Sequence, residues 1–257
     1  MLEERIRQRI EHLRLNLLEK SRAIMPSGSH LRPIALAEIV NLRETSGKGG
    51  KCVVIEREVD EFLNAESLRT AACTLLGGGQ TAPPFVFLDL ETTGFSSTPL
   101  FLAGTIFECR GSVRSLQFLA RDYSEERALI GLLDELMGGF GVCVTFNGKS
   151  FDIPYLRERA KYHRVDLLAS PLHFDLLHVA RRRWKNSLPN CRLITLEWHV
   201  LGRRRVGDVP GWEVPCIYHE FVHTKDARKI RNVLRHNLID VVSMGELFIS
   251  LAEAAKC

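Results

Sequence analysis

The stretch FVFLDLETTGF, Phe85 to Phe95, is apolar for its first four residues and then presents two carboxylates, Asp89 and Glu91, two positions apart. Side chains alternate across a strand, so a strand over Phe85 to Leu90 puts both acids on one face near its end. Like charges placed there repel, and an unpaired buried carboxylate costs several kcal/mol. Such acids therefore need a wet face, a cationic partner or a metal ion. A strand end fraying into a polar turn of Thr92, Thr93 and Gly94 is the simpler alternative at this point.

Downstream of this stretch the pattern stays orderly. FLAGTIFEC (101 to 109) and VRSLQFL (113 to 119) read as strands, and Gly111-Ser112 marks a tight turn between them, which predicts an antiparallel meander. A helix is expected from about Ser124, taken as its N-cap. VCVTF (142 to 146) reads as a fully apolar strand, NGKSFD as a loop leading into a helix that runs to about His163, and PLHFDLL (171 to 177) as another strand. Mostly helical sequence follows. Three antiparallel strands, then helix, strand, helix and strand, predict an α/β layer fold with a mixed sheet flanked by helices.

Upstream, residues 1 to 20 carry Leu2, Ile6, Ile10, Leu13 and Leu17 at helical spacing, MPSGSH reads as a loop, KCVVIEREV (51 to 59) as a strand and 60 to 75 as a helix. LLGGGQTAPP, ending at Pro84, has the composition of a linker. The expected division is an N-terminal extension over 1–80 and a main domain over 84–257.

The chain has 257 residues and a net charge of +4. Its first twenty residues are charged throughout, unlike a signal peptide, and no segment offers the ~20 apolar residues that span a bilayer, so a cytoplasmic protein is expected, with no membrane partner. Seven scattered cysteines without a CxxC pair read as reduced thiols. From His178 to Arg235 there are thirteen Lys/Arg against five Asp/Glu, an excess of eight positive charges. A cluster of this kind suits a polyanion such as nucleic acid, although single arginine runs are commonly solvated helix faces.

Two further acids complete the pattern. Asp152, in TFNGKSFDIPYL, follows a strand and a glycine loop, a position that suits either a site residue or a helix N-cap. In the last helix, expected over about Ala227 to Ala254, Ile230, Val233, Leu234, Val241, Met244, Leu247, Phe248 and Leu251 define the packing face. At 100° per residue Asp240 falls inside that stripe, and His236 lies one turn earlier on the same edge. Convergence of Asp89, Glu91, Asp152 and Asp240 around divalent cations relieves all four. Hard carboxylate oxygens without thiolates favour Mg²⁺ or Mn²⁺, and two such ions ~3.5–4 Å apart suit phosphodiester hydrolysis.

DLETTG (89 to 94), FNGKSFDIPYL (146 to 156) and HNLIDVVSM (236 to 244) resemble the three motifs of the DEDD 3′–5′ exonuclease superfamily, which has a ribonuclease H-like fold. PLHFDLLHVARRRWKN, LITLEWHVLGRRR and DVPGWEVPCIYHEF resemble the YprB-type ribonuclease H-like domain family. The resemblance covers roughly residues 84 to 254. It implies metal ligation by Asp89, Glu91, Asp152 and Asp240, and two-metal hydrolysis of DNA or RNA from a single-stranded 3′ end. His236 stands four residues before the final aspartate, where one familiar branch has tyrosine and another has histidine one position earlier. It is expected to orient or deprotonate the attacking water, or else to be a hydrogen-bonded histidine at the helix edge. Thr92 and Asn147 are expected at the substrate 3′ end, Trp184 and Phe95 as core residues first and base-stacking candidates second, and Arg181, Arg182, Arg183, Arg203, Arg204 and Arg205 at its backbone. Asp175 is either a support for the metal ligands or a helix cap.

Other classes stay open. A nucleic-acid-binding or scaffolding module of the same fold, or a structure-specific endonuclease, carries the same residues. HEFVH (219 to 223) matches the zinc-peptidase pattern, with Glu246 as third ligand, but lies in a short segment. SGKGGK (46 to 51) lacks the spacing of a phosphate-binding loop and reads as a basic hairpin turn.

Overall fold

A computed structural model describes residues 32–47, 49–77, 81–94 and 97–255. The helix expected over residues 1 to 20, and Phe95, lie outside them. In chain order the strands are β1 (Arg43–Gly47), β2 (Gly50–Glu58), β3 (Phe85–Thr92), β4 (Leu100–Cys109), β5 (Ser112–Leu119), β6 (Val142–Thr145) and β7 (Leu172–Asp175). They form one sheet in the order β1-β2-β5-β4-β3-β6-β7. The expected meander is β3-β4-β5, antiparallel throughout, and β6 and β7 join parallel on the other side of β3. β3 is thus an interior strand, and its first half is apolar on both faces because helices pack on each.

The helices are α1 (Ala65–Leu75), α2 (Glu126–Met137), α3 (Asp152–His163), α4 (Leu176–Trp184), α5 (Leu193–His199), α6 (Val214–Thr224) and α7 (Ala227–Ala254). The fold is therefore α/β with a mixed sheet flanked by helices. Ser124 does not cap α2. It lies in a 3-10 turn, Tyr123–Glu125, whose own cap is Asp122, an extended residue that accepts the Ser124 N–H. The helix proper starts two residues later.

The boundary expected between 80 and 84 falls inside a compact unit that begins at Ile34. The β1-β2 hairpin extends the sheet by pairing β2 with β5, from Val53↔Leu119 to Glu58↔Arg114, and Cys52, Val53, Val54 and Ile55 are buried there. Gly47 and Gly50 of SGKGGK are paired at the end of this hairpin. A Cβ on Gly49 would come within 2.6 Å of the Arg127 carbonyl oxygen of α2, so glycine lets the turn sit against that helix.

Alternation along β3 decides where its acids point. Leu88 and Leu90 join the cluster containing Leu129, Leu133 and Tyr155 of α2 and α3. Phe85 and Phe87 join the opposite cluster, containing Val241, Leu247 and Phe248 of α7. The Phe248 ring centroid is 5.8 Å from that of Phe85 and 5.4 Å from that of Phe87. Asp89 and Glu91 continue the Phe85/Phe87 face, so they meet α7 further along. From Phe85 or Phe87 to Glu91 the strand rises ~13–20 Å, and from Phe248 back to His236 the helix covers ~18 Å. The lengths match, and the acidic end of β3 reaches the His236–Asp240 turn of an oppositely directed helix.

Candidate active site

The end of β3 is held by a polar row that crosses three strands. Asp89 is paired with Gly104 on β4, and Gly104 with Gln117 on β5. Above Gly104 sits Asn237 of α7. A Cβ on Gly104 would come within 2.0 Å of Asn237 Oδ1, so only glycine leaves the amide this space. Gln117 Nε2 donates to Asn237 Oδ1 at 2.9 Å and to the Leu234 carbonyl at 2.7 Å. Asn237 Nδ2 in turn donates to Asp89 Oδ2 at 2.8 Å and to the Asp89 carbonyl at 3.3 Å. The register between β3 and β4 slips immediately after Glu91, a bulge of the kind that re-aims side chains at a strand end.

Asp152 is the first residue of α3, and its Oδ1 accepts the Leu90 N–H at 3.2 Å. That amide lies between the two acids of β3, beyond Phe87, where pairing with β6 stops. The loop before α3 is set by Asp175, which accepts N–H groups from Asn147 (2.8 Å), Lys149 (3.0 Å) and Leu177 (3.0 Å). Asp175 thus both caps α4 and supports the loop that delivers Asp152.

On α7, His236 Nε2 is 3.8 Å from Glu91 Oε1 and 3.5 Å from Asp240 Oδ2. Its Nδ1 contacts both carboxylate oxygens of Asp208 at 2.9 Å. Arg205 donates to both oxygens of Glu197 at 2.6 Å, to Asp208 Oδ2 at 2.9 Å and to Asp240 Oδ1. Its side chain is 7% exposed and that of Glu197 is fully buried. Ser243 donates to Glu197, while Arg203 pairs with Glu246 and donates to Ser243 at 2.7 Å. One guanidinium therefore joins α5, the following loop and α7 behind the acids.

A family model described as the RNase_H superfamily matches residues 86–252. The chain belongs to the RNase_H superfamily. Among its relatives is "Uncharacterized protein YprB" of Bacillus subtilis (strain 168), 32% identical over 203 residues, 76% of this chain and 48% of that protein. The chain thus spans about half the length of this curated relative. The structure of the family B DNA polymerase from the hyperthermophilic archaeon Pyrobaculum calidifontis matches with a TM-score of 0.54 and 20% identity, over 69% of this chain and 25% of that one. That likeness is one of fold.

In this RNase_H superfamily chain the acids crowd one another. Burial first, then the charges of Asp240, Glu91 and Asp152, push the Asp89 carboxyl well above the usual carboxylate range. Burial pushes Glu91 up to about 8, against the pull of His236, and Asp152 up to about 7, against the N–H bonds it accepts. Asp240 is also raised, by burial, despite Arg205 and His236. Burial works against the His236 imidazolium, but the Asp208 bond and the charges of Asp240 and Glu91 outweigh it and hold the ring up to about 9. Asp208 is drawn down to about 2 by His236 and Arg205 in spite of burial.

These residues fit a divalent cation. Ligand atoms of Glu91, His236 and Asp240 lie within 4.8 Å of one another, each residue partly buried. Asp89 and Asp152 are outside that triple, but the charges of Asp240 and Glu91 act on Asp89 and that of Asp152 acts on Glu91. The donors are hard oxygens with one imidazole and no thiolate, a set suited to Mg²⁺ or Mn²⁺.

The remaining expected residues divide sharply. Arg203 and Arg205, expected at a substrate backbone, turn inward and are committed to internal acids. Arg204 is exposed and stacks on Trp198, 3.8 Å from its ring centroid. Arg181, Arg182 and Arg183 are exposed. Thr92 is buried and donates to the Gly94 carbonyl at 2.7 Å, and exposed Asn147 has the left-handed φ of 67° that its turn requires. Trp184 packs against the apolar cluster on the α7 side of the sheet. HEFVH forms part of α6, with His219 bound to the Tyr123 hydroxyl at 2.6 Å, Glu220 to Lys229 at 2.7 Å, and Glu246 held elsewhere by Arg203, so these groups do not converge. Sequence reasoning missed Gly104, Gln117, Glu197, Asp208 and Asn237. The acid in LITLEWH, Glu197, was the one available signal, because an acid within an apolar helical run demands a cation.

Proposed function

We propose that the chain is a divalent-metal-dependent nuclease of the DEDD type that hydrolyses DNA or RNA from a 3′ end. The observation that supports this reading is that Asp89, Glu91, Asp152 and Asp240, from three distant segments, lie near enough for their charges to act on one another, with Glu91, His236 and Asp240 close enough to share one ion. Asp89, Glu91, Asp152 and Asp240 would hold two Mg²⁺ or Mn²⁺ ions, whose charge supplies activation of water and stabilisation of a departing oxygen. The chain's own groups prepare the site. Asn237 fixes Asp89, the Leu90 amide fixes Asp152, and Arg205 fixes one oxygen of Asp240 while the other faces His236. Asp208 on Nδ1 directs the opposite ring nitrogen of His236 toward Glu91 and Asp240, where it can hold or move a proton.

A second reading has its own support. Arg205 already takes one Asp240 oxygen and His236 stands by the other, an arrangement that also suits a nucleic-acid-binding module with little hydrolysis. The test is incubation of 5′-labelled DNA and RNA single strands with Mg²⁺ or Mn²⁺, with Asp152→Asn as control. A ladder shortening from the 3′ end, lost in the control, is expected. Binding without cleavage favours the second reading, and cuts in a circular strand mean an endonuclease.

A further inference from the structure

Lys149, His178, Arg181, Arg182 and Lys185 line an open cleft of about 600 Å³. All five are exposed. Four of them make no ion pair with any described residue, and His178 has only a 4.0 Å contact from Nε2 to Asp175 Oδ2. The contrast with Arg159, Arg203 and Arg205, all paired with acids, is what distinguishes this surface.

Basic residues in the last turn of α4 also complement that helix's dipole. This accounts for Arg181 and Arg182, but not for Lys149, which comes from another segment. Lys149 stands three residues before Asp152, and its N–H is bound by Asp175, the cap of the helix that carries the other four. Asp175 is also near enough to Asp152 for its charge to act there. One buried carboxylate thus fixes both walls of the cleft beside the acid cluster. Leu176, Leu177 and Ala180 are buried under α4, so Arg181 and Lys185, one turn apart, stand on its outer side.

We propose that this cleft binds the phosphodiester backbone of a single nucleic-acid strand and leads its end to Asp152 and the acids beside it. Where the strand ends rests on the nuclease reading above. The binding itself does not, and it can be measured without hydrolysis.

The experiment uses the full chain in EDTA with labelled single strands of DNA and RNA about 20 nucleotides long, and follows Kd by anisotropy as KCl is varied. For single strands log K falls with log salt by ~0.7 per neutralised phosphate, so Arg181→Ala/Arg182→Ala/Lys185→Ala is expected to lower the slope by about 2 and to weaken binding at least tenfold at moderate salt. Arg43→Ala/Lys161→Ala, exposed basic residues elsewhere, is expected to leave the slope unchanged. Circular dichroism should match wild type for both variants. An unchanged slope in the triple variant overturns the proposal, as does an equal loss in the control. Equal competition by inorganic phosphate or a mononucleotide means a site for a free phosphate group, and equal binding of polyglutamate means an acidic protein partner. Either result overturns it. Cleavage with Mg²⁺ by a chain whose triple variant keeps the full slope sinks this inference and leaves the nuclease reading standing. A lowered slope without cleavage does the reverse.

Discussion

At the scale of residues, the acids at the end of β3 and on α7 set a pH dependence that metal should reverse. Glu91 is raised to about 8 and Asp152 to about 7. Between the ordinary carboxylate range and pH 8 the folded chain then holds protons that the unfolded chain has released, so stability falls as pH rises. His236, raised to about 9, acts in the same direction, since its contribution is complete below pH ~6.5 and is lost as pH passes 9. In EDTA, urea midpoints from pH 5 to pH 8 are expected to decline. With millimolar Mn²⁺ the decline should flatten, because a cation favours the ionised acids. A midpoint that rises through this window in EDTA would show that the folded chain does not hold these groups protonated.

At the scale of elements, the start of α2 is a second place where charge is buried, here with its partners. Glu126 accepts the Leu100 N–H at 2.8 Å, is paired with Arg159 at 2.7 Å through both oxygens, and contacts His163 at 2.7 Å, tying β4 to α2 and α3. Burial pushes its carboxyl up, but these partners prevail and lower it. A depressed acid contributes stability above its unfolded value that is lost as pH falls through the folded one. Glu126→Gln leaves the Arg159 guanidinium buried without a counter-charge and is expected to cost about 3–5 kcal/mol at neutral pH, with the difference from wild type shrinking below pH 4. Chemical denaturation at both pH values checks it. This triad was not legible beforehand. Glu126 follows Glu125 in a charged run, and nothing local says which of the two turns inward. By contrast the bounds of α7, 227 to 254, were legible, because its apolar stripe recurs at helical spacing from Ile230 to Leu251, and Asp226 caps it.

At the scale of the molecule, the family match begins at residue 86 but the sheet does not. β2 covers the edge of β5, and Cys52 to Ile55 are buried against it. Removing that hairpin leaves β5 as an apolar edge, open to pairing with other chains. A chain begun at Ile34 is expected to unfold cooperatively and run as a discrete species in gel filtration. One begun at Pro84 should be largely insoluble or aggregated, and its folding cooperatively in isolation would refute the inclusion of the hairpin in the core.

The sequence by itself determined whatever repeats locally. Alternation put Asp89 and Glu91 on one face of β3, helical spacing put His236 and Asp240 on the packing edge of α7, and the order of strands and helices gave the mixed sheet. Only the tertiary structure decided which groups meet across long separations. Asn237 reaches Asp89 across a separation of 148 positions, and Arg205 abandons the surface for Glu197, Asp208 and Asp240. An arginine in GRRRVGD carries no periodic mark of direction. Whether it faces water or a buried acid is fixed by the cost of leaving that acid unpaired, a cost that exists only once the helices have closed around it.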